Sequence, residues 1–332
     1  MLHVPDSFSA DTLKLDPKVE VNKIVAALRR QLHHLKKWGL VLGLSGGIDS
    51  SVSLALAVEA VDKRNVQVLF MPERDSEPES LQFGRMVAGH YGVDGVVEDI
   101  GPTLDALGCY ARRDTAIRTI VPDYGRGWAC KVVIGQSGGG KGYTMSSLVV
   151  RSPAGVQSTH RMSAEVYLAV VAATNMKQRT RKLLEYSHAD RLNFAVLGTP
   201  NRLEYDQGFF VKNGDGAADV KPIAHLYKSQ VYQLAEYLGV PEDIRRRPPT
   251  TDTYSLPQSQ EEFYFALPYD VMDLCLYGLN NAIPVVNVAR AAGLTADQVL
   301  TVWHDIASKR KTTRALHAGP LLVEPVTEIG AA

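Results

Sequence analysis

Between Leu40 and Val61 an apolar run, a glycine-rich turn and a second apolar run follow without interruption: LVLGL, SGGIDS, SVSLALAVEAV. The first run is short and closed by the turn, so it reads as a strand. The second is long enough for a buried helix. An amphipathic helix precedes this unit over Val19–Trp38, with Ile24, Val25, Leu28, Leu32 and Leu35 at three-to-four spacing and Gly39 as its stop. A strand over Val66–Met71 ended by Pro72, a helix over Leu81–Tyr91 and a strand over Gly95–Ile100 follow. Strands alternating with helices imply an α/β fold, a doubly wound parallel sheet covered on both faces.

The alternation lapses between about Gly108 and Arg161. There VVIG and SLVV suggest short strands flanking IGQSGGGKGYTMSS, and an inserted β-hairpin with a mobile tip is expected. Gly135–Gly142 (GQSGGGKG) has the glycine and lysine spacing of a Walker A loop, but Gly142 stands where a metal-binding hydroxyl is needed. It reads as a loop tip from which Lys141 could reach over a bound nucleotide. Periodicity resumes with a helix over Ala164–Tyr186, a strand over Phe194–Gly198 and a helix over Lys228–Leu238. RRRPPTTDTYSLPQSQEE is a loop, and YDVMDLCLYGL and ADQVLTVWHDIASKRK are C-terminal helices. One unit over 1–332 is expected: a core over about 20–260, an insertion over about 108–162, and a helical region and tail over about 262–332.

Thirty-six basic and 36 acidic residues cancel, which speaks against the basic surface that nucleic acid binding needs. Cys109, Cys130 and Cys275 are scattered, so neither a disulfide framework nor a zinc site is indicated. No run of about 18 apolar residues and no apolar signal core is present, so a cytoplasmic protein without a membrane partner is expected.

The chemistry concentrates in two places. Gly43, Leu44, Ser45, Gly46, Gly47, Ile48, Asp49 and Ser50 lie between strand and helix, where backbone N–H groups and a helix N-terminus cradle anionic oxygens. Two glycines permit close approach, Ser45 and Ser50 add hydroxyls, and Asp49 implies a Mg²⁺ between itself and phosphate. This turn resembles the PP-loop of the ATP pyrophosphatases. The second concentration runs from Asn175 to Asp252 through MKQRTR, GTPNRLEYDQGFFVKNGDGAADVKPIAHLYKSQ and RPPTTD.

Taken with the PP-loop, these segments resemble the NAD synthetase family over roughly Ile24–Arg310, the insertion excepted. The resemblance implies an adenine nucleotide alpha hydrolase-like fold. It also implies amidation of nicotinic acid adenine dinucleotide (deamido-NAD), with ATP and ammonia, through an acyl-adenylate. By position, Asp49 and Glu204 would hold Mg²⁺, Thr199, Lys228 and Thr250 would contact ATP, and Asp49, Glu204 and Lys228 would be the catalytic set. Arg179, Lys212 and Asp219 would hold the dinucleotide, and Gly208-Phe209-Phe210 would offer aromatic faces to a pyridine ring. A homodimer is implied as well. Asp215 in GDG reads equally as turn or ligand, and His188, His225 and His304 show no partner pattern.

Family members carry a His-Lys pair near the C-terminus where this chain has Ser308-Lys309, the substrate contacts at that place. Tyr264 and Ala266 stand where acidic residues running into Leu-Gly are common. These departures fall on the acceptor side, so adenylation of another small carboxylate is the alternative reading and a non-catalytic nucleotide-binding protein the second. An RNA-modifying PP-loop enzyme is disfavoured by charge and scattered cysteines. With the chain starting at the helix before the loop and no cysteine in a nucleophile context, free ammonia or a separate glutaminase is the expected nitrogen source.

Overall fold

Along the strand that opens the strand–turn–helix unit, Leu40 and Leu42 enter one core and Val41 another, all three fully buried. That alternation is what a strand between two helical layers requires. The computed structural model describes residues 8–134, 146–250 and 253–327. In chain order its first half comprises α1 (Pro17–Leu35), β1 (Leu40–Gly43), α2 (Ile48–Ala60), β2 (Val66–Phe70), α3 (Pro78–His90), β3 (Gly95–Val97), α4 (Gly101–Ala106) and α5 (Cys109–Arg118). An antiparallel sheet follows, β4 (Ala129–Ile134), β5 (Ser146–Arg151) and β6 (Gln157–Arg161), before the long α6 (Ala164–Leu192) and β7 (Ala195–Val196). The remainder is helical: α7 (Arg202–Gln207), α8 (Lys228–Tyr237), α9 (Glu242–Arg246), α10 (Tyr269–Asn280), α11 (Val285–Ala292) and α12 (Ala296–His317).

The main sheet is parallel in the order β3-β2-β1-β7, with Leu40 opposite Val66 on one side and Ala195 on the other. A single parallel bridge, Leu197 to Val220, carries it one position further. On one face α1, α2 and α8 bring Leu28, Leu54 and Val231 onto Leu40, Leu42, Val66 and Val68. On the other, α6 and the residues just after it bring Ala189 and Phe194 onto Val41, Leu69 and Val196. The expected doubly wound parallel sheet is the one observed. Helices α10–α12 close one end over a core of Met272, Leu276, Val288, Val299 and Ile306, into which the N-terminal Phe8 and Leu13 also insert.

Several expectations need correction. The segment assigned whole to an insertion begins with a helix, α5, whose polar CYARRDTAIR pattern hides the buried Cys109, Tyr110, Arg113, Ala116 and Ile117. The insertion is three-stranded rather than a hairpin, because QSTHR adds β6 as a largely exposed edge strand without apolar alternation. The expected strands over 95–100 and 194–198 shorten to β3 and β7, while α6 runs six residues beyond Tyr186. The loop reading of RRRPPTTDTYSLPQSQEE misses the start of a π-helical turn, Glu261–Phe265, and α7 and α11 were not anticipated. The GQSGGGKG stretch with Lys141 lies outside the described residues. Cys109, Cys130 and Cys275 are buried and free, and among the described residues no helix is long and apolar enough to cross a membrane.

Candidate active site

The strand ends of a parallel sheet all open in one direction, and the cleft lies there. Its volume is about 560 Å³, and it is lined by the β1–α2 turn, the residues after β2 and β7, one face of α6, and the 247–250 and 260 positions. The turn presents the N-terminus of α2 to the cleft with no side chain capping it, which leaves the first N–H groups of the helix for an anion. Gly46 has φ +77, and a Cβ there would meet Phe83 Cβ at 2.7 Å and the Gly84 nitrogen at 2.9 Å. Both its conformation and its contact with α3 therefore require glycine. Ser45 and Ser50 do not simply face the cleft: their hydroxyls lie 3.1 Å apart, and Ser50 also donates to the Gly47 carbonyl at 3.0 Å. These hydroxyls brace the turn.

Three of the expected residues converge. Lys228, the first residue of α8, is buried to 1% exposure, and its ammonium pairs with Asp49 Oδ2. Asn201 donates from Nδ2 to Asp49 Oδ1 at 3.1 Å. Asn201 also caps α7: its side chain accepts from the Glu204 N–H at 3.3 Å, while Glu204 Oε2 accepts from the Asn201 N–H at 3.1 Å. This reciprocal cap fixes the Glu204 carboxylate in the cleft. Gln260 donates to its other oxygen, Oε1, at 2.9 Å.

Burial raises the pKa of Glu204, and the charge of Asp49 raises it further, to about 8, although Lys228 and the Asn201 N–H pull the other way. Burial disfavours the Lys228 ammonium, but Asp49 and Glu204 outweigh it and hold its pKa above the ordinary value. Asp273 of α10 accepts from the Lys228 and Ser229 N–H groups at 3.2 and 2.7 Å, so a residue 45 positions away caps α8 and places Lys228.

Of the expected ATP contacts, Gly43, Leu44, Ser45, Gly47, Ile48, Asp49, Ser50, Thr199, Lys228 and Thr250 line the cleft, as does Glu204. Gly46 serves the turn from behind. None of the five expected acceptor contacts lines it. Arg179 donates to the Lys212 carbonyl at 3.2 Å, and Lys212 spends its ammonium on the Ala315 and Ala318 carbonyls at 2.8 and 2.9 Å. Asp219 accepts from the Val196 N–H at 2.7 Å and from Tyr186 at 3.3 Å, so it braces the sheet edge. Lys309 donates to the Tyr264 carbonyl and pairs with Asp305, both at 2.7 Å, and Ser308 is exposed on α12.

The aromatic faces expected to be open are occupied as well: Phe209 stacks on Tyr264 at 4.6 Å, and Phe210 on Tyr205 at 6.1 Å. Asp215 has the turn role, accepting from the Val211 N–H at 2.8 Å, and it also lies on the cleft lining. Two of the histidines have carboxylate partners, His188 with Glu98 at 2.8 Å and His225 with Glu20 at 2.7 Å, and His304 is exposed.

Sequence reasoning missed Asn201, Gln260 and the buried Lys182–Glu185 pair, 2.5 Å apart in the cleft floor. The Asn-x-x-Glu spacing of a capping box would have found Asn201. The three-residue spacing of Lys182 and Glu185 on one helix marks that pair but not its burial, and nothing local marks Gln260.

Residues 20–119 and 154–314 match the NAD synthase family. The chain belongs to that family. The internal stretch left unmatched, 120–153, holds β4 and β5. The NH(3)-dependent NAD(+) synthetase of Rhizobium meliloti (strain 1021) is 71% identical over 322 residues, which cover 97% of this chain and 96% of the relative. Among solved structures, NMN synthetase from Francisella tularensis has a TM-score of 0.63 at 21% identity, covering 94% of this chain and all of that one. The NH3-dependent NAD synthetase from Campylobacter jejuni, solved with a nitrate ion, has a TM-score of 0.62 at 20% identity and the same coverage. These two likenesses show the fold.

Proposed function

We propose that this chain is an ammonia-dependent NAD synthetase, a ligase that amidates nicotinic acid adenine dinucleotide at the expense of ATP and releases AMP and pyrophosphate. The observation that carries the reading is the buried Lys228 ammonium joined to Asp49 and neighboured by Glu204, at the open N-terminus of α2, in a chain of the NAD synthase family.

The nicotinate carboxylate is a poor acyl electrophile, so its oxygen first attacks the α-phosphorus of ATP and pyrophosphate leaves. Ammonia then attacks the carbonyl of the mixed anhydride, loses a proton, and AMP departs. The protein's part is to position, neutralise and exclude water. The turn N–H groups and the α2 N-terminus receive phosphate oxygens. Lys228 offsets the charge that develops on the leaving pyrophosphate, and Thr199 and Thr250 add hydroxyls at the cleft wall.

Asp49 and Glu204 would hold Mg²⁺, which when bound supplies positive charge against the triphosphate. The donor set fits. Two carboxylates share one site, one with its pKa raised to about 8 by burial and by the charge of the other, and Asn201 and Gln260 orient an oxygen of each. A cation held by these two carboxylates would complete its shell with phosphate oxygens and water.

The acceptor contacts Arg179, Lys212, Asp219, Ser308 and Lys309 rest on the family resemblance alone, since all five lie off the cleft lining. That placement favours one second reading, the same adenylation on a different small carboxylate. We also propose a homodimer, since α6 leaves Leu168 and Leu183 exposed at 63% and 66%.

A reaction with ATP, Mg²⁺, ammonium and nicotinic acid adenine dinucleotide decides between the readings. NAD and AMP in equal amounts, abolished in Glu204→Ala, support the synthetase. Pyrophosphate release with another acid but not this one supports the second reading.

A further inference from the structure

The chain leaves the cleft wall at Thr250 and returns to it at Gln260, and an antiparallel bridge between Thr250 and Ser259 closes the excursion at its base. The part described between them, 253–258, has no helix or strand of its own. Its polar groups are met by the inserted sheet. Along the free edge of β4, the Leu256 N–H donates to the Cys130 carbonyl at 3.1 Å, and the Cys130 N–H donates to Ser255 Oγ at 2.9 Å. The Gln258 amide donates to the Val132 carbonyl, and Lys131 donates to the Pro257 carbonyl at 3.2 Å while pairing with Glu262 at 2.6 Å. Tyr254 is buried in the core of the inserted sheet with Val132, Leu148 and Val150. From the opposite side the buried Lys177, already paired with Glu73 and Asp75, donates to the Thr253 carbonyl at 2.9 Å.

We infer that the inserted sheet β4–β6 is a clamp that preorganises the 253–262 segment for ATP binding, with Lys131 and Ser255 as positioning residues. This rests on the cleft being the ATP site proposed above. A segment without its own ladder loses backbone freedom when it orders, and pairing with an existing strand edge meets that cost before the ligand arrives. What is held in place is specific: Gln260, which donates to Glu204, and Thr250, both on the cleft lining. The clamp strand β4 lies in the stretch outside the family match, whereas the segment it grips lies inside it. The inserted sheet thus acts on a matched part of the site through a strand outside the match.

The test is the double variant Lys131→Ala/Ser255→Ala, with the charge exchange Lys131→Glu/Glu262→Lys as its partner. Hydrogen exchange over 253–262 in the free protein and calorimetric ATP affinity without acceptor are the readouts. The double variant should exchange faster in that segment and bind ATP about tenfold more weakly. The charge exchange, which keeps Ser255 and an ion pair of reversed sense, should lose less ATP affinity than the double variant, within about threefold of the parent. Faster exchange with unchanged ATP affinity would overturn the inference. So would a uniform rise in exchange with a lowered Tm, which would make the sheet a support of the whole fold. Because neither readout uses an acceptor, failure to make NAD would sink the proposed function while leaving this inference to stand or fall on its own.

Discussion

Lys228 is a cation that burial disfavours and that the neighbouring Asp49 and Glu204 keep charged, while burial and Asp49 together favour a proton on Glu204. Each member of the trio therefore depends on the others, and removing one leaves uncompensated charge in a buried place. Lys228→Met should lower kcat/KM by ~10²–10³-fold, the scale seen when a single preorganised charge or donor is removed. Pyrophosphate release at saturating ATP measures this, and a change of less than about threefold would argue that Lys228 is structural only. Glu204 has a different signature. Its folded pKa, about 8, lies above the ordinary 4.5, so the folded protein holds a proton that the unfolded chain gives up. Stability attributable to this group is present below 4.5 and is lost as pH rises toward 8. Glu204→Gln escapes that loss: its Tm should exceed the parent's at pH 8.5, and the gap should close toward pH 5. Saturating Mg²⁺ with ATP should raise the Tm of the parent and much less that of the variant, and equal shifts would remove Glu204 from the metal site.

At the scale of elements, the site is made where helices begin. The turn before α2 delivers N–H groups, the cap of α7 delivers Asn201 and Glu204, and α8 begins at Lys228 under Asp273 of α10. Burial raises the Asp273 pKa from 3.8 to about 6, against the pull of the Ser229 and Lys228 N–H groups. Stability from this group is therefore present below 3.8 and is lost as pH rises to 6. The advantage of the parent over Asp273→Asn, read by urea unfolding, should shrink by up to ~3 kcal/mol between pH 4 and pH 7. A pH-independent difference would mean that Asp273 ionises with the same pKa in the folded and the unfolded chain.

Asp273 also shows what a sequence conceals. The strand–turn–helix of Leu40–Ala60 is legible because its apolar runs and glycines are contiguous, and Glu204 is legible through its family spacing and its capping box. The cap of α8 joins positions 228 and 273, Gln260 reaches Glu204 across 56 residues, and only the folded chain brings these together. Phe209 and Phe210 mislead for the same reason, since nothing local shows that Tyr264 and Tyr205 already cover them.

For the whole molecule the question is what covers α6. The helix lies across the second face of the sheet, and its inner side buries Val170, Ala173, Lys177 and Ala189. Its outer side keeps Leu168 and Leu183 in water, roughly four turns apart, a spacing that returns them to nearly the same side of a helix. An exposed apolar stripe on so long a helix fits a second copy of the same surface, since a two-fold contact makes each leucine both donor and recipient of the burial. The parent should therefore elute with the mass of a dimer, twice 36.3 kDa, by light scattering. Leu183→Glu places two like charges in such a contact, so it should shift the protein toward 36.3 kDa at micromolar concentration. The residue is exposed in the protomer, so circular dichroism should be unchanged. ATP affinity should also survive, because Leu183 is not among the residues lining the cleft proposed to take ATP. A loss of NAD formation with ATP binding intact would place the acceptor at the contact between protomers. That outcome would explain why Arg179, Lys212 and Lys309 stand off the cleft of a single chain, whereas an unchanged mass would leave the α6 stripe without a partner and return the acceptor contacts to a rearrangement within one protomer.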